Sequence, residues 1–137
     1  MLHVAVHPVI AAPSIFDWDV NSWPLGSLTQ RYTGIGSPLT DFTFTFSGDT
    51  SRFESNSPET NQIITGGISP PQNALFFAVK NMSGSESITL TIDLSIKVTD
   101  VSFTVMDIDI PTGGIDKVVV TGSLQGTTVI PTLTATE

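Results

Sequence analysis

Residues Asp41–Ser47 read DFTFTFS, and this stretch decides the fold. Phe42, Phe44 and Phe46 share one parity and Thr43 and Thr45 the other, the period-two signature of a strand with one buried face. Each buried Phe contributes on the order of 1.5–3 kcal/mol, so this ladder supplies a large share of a core. Ser87–Ser95 repeats the pattern, with Ile88, Leu90, Ile92 and Leu94 inward and Thr89, Thr91 and Asp93 outward. Ile15–Val20, IFDWDV, is predicted as a strand with Phe16, Trp18 and Val20 on one face and Asp17 and Asp19 on the other. Leu28–Tyr32 is a short strand before a turn at Thr33–Pro38. Gly48–Pro71 is a long polar connection with a short strand near Asn61–Thr65. Asn73–Lys80, NALFFAVK, is apolar enough for a central strand. Val101–Val105, Lys117–Thr121 and Thr127–Thr134 complete the set, with turns at Asn81–Ser87 and Gly122–Gly126. Roughly eight or nine short strands and no convincing helix predict an all-β fold, an antiparallel β-sandwich. A jelly roll is the preferred topology and an immunoglobulin-like one the alternative.

Composition narrows the class of function. The 137 residues suit one domain with a full core. Only 13% are charged, so Ser, Thr and Asn carry the solvation, as on β-sheet surfaces. The net charge of −8 would repel a phosphate backbone and excludes nucleic acid as a partner. It favours cations instead. With no cysteine there is neither a disulfide nor a thiolate metal site. No run is long enough for a membrane span. The opening lacks the basic start and unbroken apolar stretch of a signal peptide, so an exported chain would have lost its leader or begin elsewhere.

The acidic stretch after Val105 carries the strongest hint of chemistry. Asp107 and Asp109 form an Asp-x-Asp, and Gly113-Gly114 separates them from Asp116. Continuing the strand's parity would bury the two carboxylates, which is costly for an unpaired charge. Either a bulge turns Met106, Ile108 and Ile110 inward, or the carboxylates meet a cation. Calcium prefers six to eight oxygen ligands, and Asp107, Asp109 and Asp116 with bent loop carbonyls could supply them. The bland alternative is a set of turn-forming aspartates. Asp17 and Asp19 form a second Asp-x-Asp, read first as solubilising charge on an outer face.

Met1–Ser14 is read apart from the 15–137 β-sandwich domain. Leu2, Val4, Val6 and Ile10 share one parity, and Pro8 and Pro13 interrupt and close the segment. It is either a first strand or tail of its own domain, or a strand given to a neighbouring subunit. His3 and His7 share a parity that could place both on one face to hold a metal.

The run from Asp107-Ile108-Asp109 through a glycine loop to Asp116-Lys117-Val118-Val119-Val120-Thr121-Gly122 resembles modules of bacterial cell-surface and secreted adhesin-like proteins. Those modules also open on a Phe/Trp-bearing strand, as at Phe16-Asp17-Trp18, and carry a Phe-rich strand ending in Ser-Gly-Asp, as at Phe46–Asp49. The likeness spans most of Ile15–Thr134. It implies a non-catalytic β-sandwich in an extracellular or cell-surface setting.

An enzyme is not expected. Both histidines lie in the terminal segment, and neither a Gly-x-Ser-x-Gly elbow nor a His-Glu-x-x-His helix occurs. Two readings from different classes remain. One is a structural or adhesion module, a calcium-stabilised fibre or surface subunit that self-associates through the N-terminal strand. The other is a carbohydrate-binding module facing a glycan or cell surface, with Trp18, Trp23 or Tyr32 stacking on sugar rings.

Overall fold

The computed structural model describes residues 14–62, 70–80, 83–106, 117–132 and 134. Within them the chain is nearly all β, with antiparallel sheets and a single 3-10 turn at Thr50–Arg52, a sandwich-like fold of the expected class. The centre is a three-stranded sheet of β1 (Thr29–Ile35), β2 (Thr40–Gly48) and β5 (Ile88–Leu94), in the order β1-β2-β5. The Phe ladder lies on β2, the middle strand. Phe44 and Phe46 are buried and Phe42 half-buried.

A second layer closes over that phenyl face. β3 (Glu59–Asn61) pairs with β4 (Ala74–Phe76), and Phe53 and Val79 form a bridge further along the same ribbon. Trp23, Phe44, Phe46 and Phe53 make the buried centre, with Phe16, Trp18, Tyr32, Leu75, Ile88 and Leu90 packed around it. The rings meet edge-on: Trp23 lies 5.7 Å from Phe46, and Phe53 lies 5.1 Å from Phe46. Edge-to-face packing lets the positive ring edge meet the negative face of its neighbour. Trp23 Nε1 donates to Ser27 O at 2.9 Å, so the buried indole keeps its one polar group satisfied.

Two short motifs lock the sheet. At the end of β2, Gly48 has φ +87°, and a β-carbon there would run into the Ser87 carbonyl. That close approach lets Asp49 N donate to Ser87 O (2.9 Å) while Ser87 N donates to Asp49 Oδ2 (2.8 Å). The Ser-Gly-Asp ending of the Phe strand is thus a clamp between β2 and the start of β5. At the other end, Asp41 Oδ2 accepts from Arg31 (2.7 Å) and Oδ1 from Gly34 N (3.0 Å), which holds the irregular stretch of β1 between Tyr32 and Ile35.

Several segments depart from the sequence reading. Ile15–Val20 is no strand but an irregular segment ending in a turn. Asp17 Oδ1 accepts Asp19 N (2.8 Å) and Asp17 O accepts Asn21 N (3.1 Å), so an Asx turn outcompetes extension. Phe16 and Trp18 still reach the core, whereas Val20 is 78% exposed. The apolar run at Asn73–Lys80 yields β4, in a two-stranded ribbon rather than the sheet centre, and beyond it Phe77 meets Phe46 at 5.4 Å while Val79 bridges Phe53 through the backbone. Of the short strand expected at Asn61–Thr65, only Asn61, the last residue of β3, and Gln62 are among the described residues. Val101–Val105 joins no ladder among the described residues, and Val101, Phe103 and Val105 are exposed. Lys117–Thr121 is likewise no strand. The chain instead makes a tight hairpin of β6 (Gly122–Leu124) and β7 (Thr127–Val129), where only a turn and a final strand were expected. Its two loop residues, Gln125 (φ 51°) and Gly126 (φ 79°), both take the left-handed backbone that such a loop demands.

Candidate functional site

Two places combine exposure with unused bonding capacity, the outer edge of β5 and a cleft beside Trp18. The edge follows from the register. Asp49 N donates to Ser87 O at one end of the β2–β5 pair, and Ser95 N donates to Asp41 O (3.0 Å) at the other. Bonded pairs alternate along an antiparallel ladder, so Thr89, Thr91 and Asp93 turn their peptide groups toward β2. Ile88, Leu90, Ile92 and Leu94 therefore direct their N–H and C=O groups away from β2, with no strand beside them among the described residues. This edge has no proline, no bulge and no lysine, and Asp93 is its one charged side chain. The opposite edge, on β1, carries an irregularity and Arg31.

The cleft lies at the far side of the aromatic cluster. Ile15, Phe16, Asp17, Trp18, Gln72 and Asn73 enclose about 260 Å³. Asp19 Oδ1 accepts Asn73 N (2.9 Å) and ties the two walls together across 54 positions of sequence.

Of the aromatic residues considered for sugar stacking, Trp23 is 3% exposed and belongs to the core. Tyr32 donates its hydroxyl to Ser22 O (2.8 Å), and partial burial raises its pKa. Trp18 alone lines the cleft. Asp107, Asp109 and Asp116, proposed as calcium ligands, lie outside the described residues, as do His3, His7 and the whole Met1–Pro13 segment. Among the described residues no group of three or more carboxylate or imidazole side chains gathers as a metal site. No described helix is long and apolar enough to cross a membrane.

Two carboxylates have lowered pKa values. The Arg31 hydrogen bond, then that of Gly34 N–H, holds Asp41 below the ordinary carboxylate range. For Glu86 the Ser83 N–H acts first (2.6 Å) and the Arg52 guanidinium second. Both clasps are structural: one holds β1, the other ties the 3-10 turn to the chain entering β5. The sequence signalled neither the β5 edge nor the partnership of Gln72 and Asn73 with Trp18. ITLTIDL carries Asp93 but neither lysine nor proline, so the edge was only partly implicit in it, and nothing local named Gln72 and Asn73.

No family model, no curated protein and no solved structure matches this chain.

Proposed function

We propose that the chain is a non-enzymatic, extracellular structural or adhesion module of the bacterial surface type, which associates with itself by strand addition. The Leu2–Ile10 segment of one copy would join the outer edge of β5 in the next. The observation that carries this reading is the unblunted edge of β5, where the peptide groups of Ile88, Leu90, Ile92 and Leu94 point outward. An added strand satisfies them through main-chain bonds, and alternating side chains set its register. Leu2, Val4 and Val6 have the required period, continuing their parity toward Ile10. Charge supports the match: all 13 acidic residues follow Ser14, while the first 14 positions hold none and include His3 and His7. Exposed Val101 and Phe103, at 65% and 60%, add apolar surface of the kind that marks association. Calcium at Asp107, Asp109 and Asp116 is part of the same proposal, as the ion that would rigidify an acidic surface module.

The test is the assembly state of the full chain by sedimentation and electron microscopy. Oligomers should grow with concentration and vanish on deletion of Met1–Pro13. Ile92→Pro removes an outward N–H but none of the bonds to β2, and should leave a folded monomer. A full chain that stays monomeric at high concentration overturns the proposal. Undiminished assembly of Ile92→Pro overturns β5 as the acceptor.

A further inference from the structure

The geometry points to a second, independent site: the cleft walled by Trp18, Asp17, Gln72 and Asn73 binds one neutral pyranose ring, the terminal residue of a glycan. The site stands whether or not the module self-associates.

Its walls are held in place before any ligand arrives. Trp18 meets Phe16 at 4.7 Å and Phe44 at 5.4 Å, so the indole is gripped by the core on its inner side. Asp17 is pinned by its own turn, where Asn21 Nδ2 also donates to Asp17 O (2.7 Å). Asp19 anchors the backbone of Asn73, and Gln72 is carried beside it. A rigid aromatic wall facing polar side chains loses little entropy when a ligand is ordered against it.

The chemistry of the lining selects the ligand class. Ring hydroxyls donate and accept at once. The Gln72 and Asn73 amides do both, and the Asp17 carboxylate accepts. Trp18 offers an apolar face to the C–H side of a sugar ring. No lysine or arginine lines the cleft, so a phosphate or uronate would enter without a counter-charge, against a chain of net charge −8. At about 260 Å³ the space falls short of a drug-sized pocket and suits one ring with its chain running into solvent.

The experiment is saturation-transfer NMR of the full chain against the methyl glycosides of glucose, galactose and mannose, with glucose 6-phosphate as the anionic control. At least one neutral glycoside should bind saturably with a Kd in the millimolar range, through its C–H face. Gln72→Ala touches an exposed side chain outside the core and should weaken binding about tenfold with the fold intact. Trp18→Leu should abolish it, folding being checked by circular dichroism. Absence of saturable binding to all three glycosides up to roughly 50 mM overturns the inference. So does binding that neither variant changes, or binding of the phosphate ester as strong as that of the neutral sugars.

Discussion

Gly48 shows how one residue sets the register of a sheet. Its φ of +87° lies where a β-carbon costs about 1–2 kcal/mol, and the Ser87 carbonyl occupies the space that carbon would need. Gly48→Ala should therefore destabilise the fold by more than that backbone cost, read as a lower urea midpoint with unchanged slope. Asp41 acts through charge. Its folded pKa lies below the unfolded value of about 3.9 because Arg31 and Gly34 bond the ionised form. The ionised form is thus favoured by folding. Its stabilisation is complete above the unfolded pKa and is lost as pH falls through the folded one. Asp41→Asn removes that contribution. The melting-temperature gap between wild type and Asp41→Asn should be constant at pH values well above the unfolded pKa and close as the pH falls through the lowered folded one. A gap that persists unchanged at the acid end would mean the Arg31 clasp is not what the carboxylate contributes.

At the scale of elements, β2 and β5 were fully legible in the sequence, β1 in part as Leu28–Tyr32, and the three-residue strands were not delimited by it. DFTFTFS and ITLTIDL alternate for seven residues each, long enough for period two to separate a buried from an exposed face. IFDWDV alternates equally well, yet Asp17 folds it into a turn, because a side-chain acceptor beside its own backbone competes with a ladder. The partner strand, absent from any local pattern, decides between the two outcomes. The same gap explains Val101–Val105, whose alternation describes its faces but not its neighbour. Strands of three residues, such as β6 and β7, are too short to show any period. Their hairpin rests on Gln125 and Gly126, and Gln125 is a poor occupant of a left-handed position. Gln125→Asn should raise stability by about 0.5 kcal/mol, seen as a small upward shift in melting temperature. The cleft was half legible. Trp18 and Asp17 drew notice by residue type, but Gln72 and Asn73 meet them only through a contact 54 positions away.

For the molecule as a whole, charge is the dominant unspent quantity. Thirteen carboxylates against five basic side chains leave a chain that repels itself, with Arg31 and Arg52 already committed to Asp41 and Glu86. Any ion that lowers this repulsion stabilises the fold, so a specific site must be separated from general screening. Sodium chloride screens all exposed carboxylates alike, whereas calcium at Asp107, Asp109 and Asp116 would act at low concentration and depend on those residues. Free calcium at a hundred times its Kd would stabilise the chain by about 2.7 kcal/mol, a rise in melting temperature of roughly 5–10 °C for a domain of this size. The rise should survive a background of moderate salt and disappear in Asp107→Ala or Asp109→Ala. Magnesium, which demands a tighter octahedral shell and gives up water reluctantly, should reproduce little of it. Superimposable melting curves in calcium and in excess chelator, at matched ionic strength, would reduce the acidic stretch to turn-forming aspartates and leave the carboxylates acting only through their summed charge.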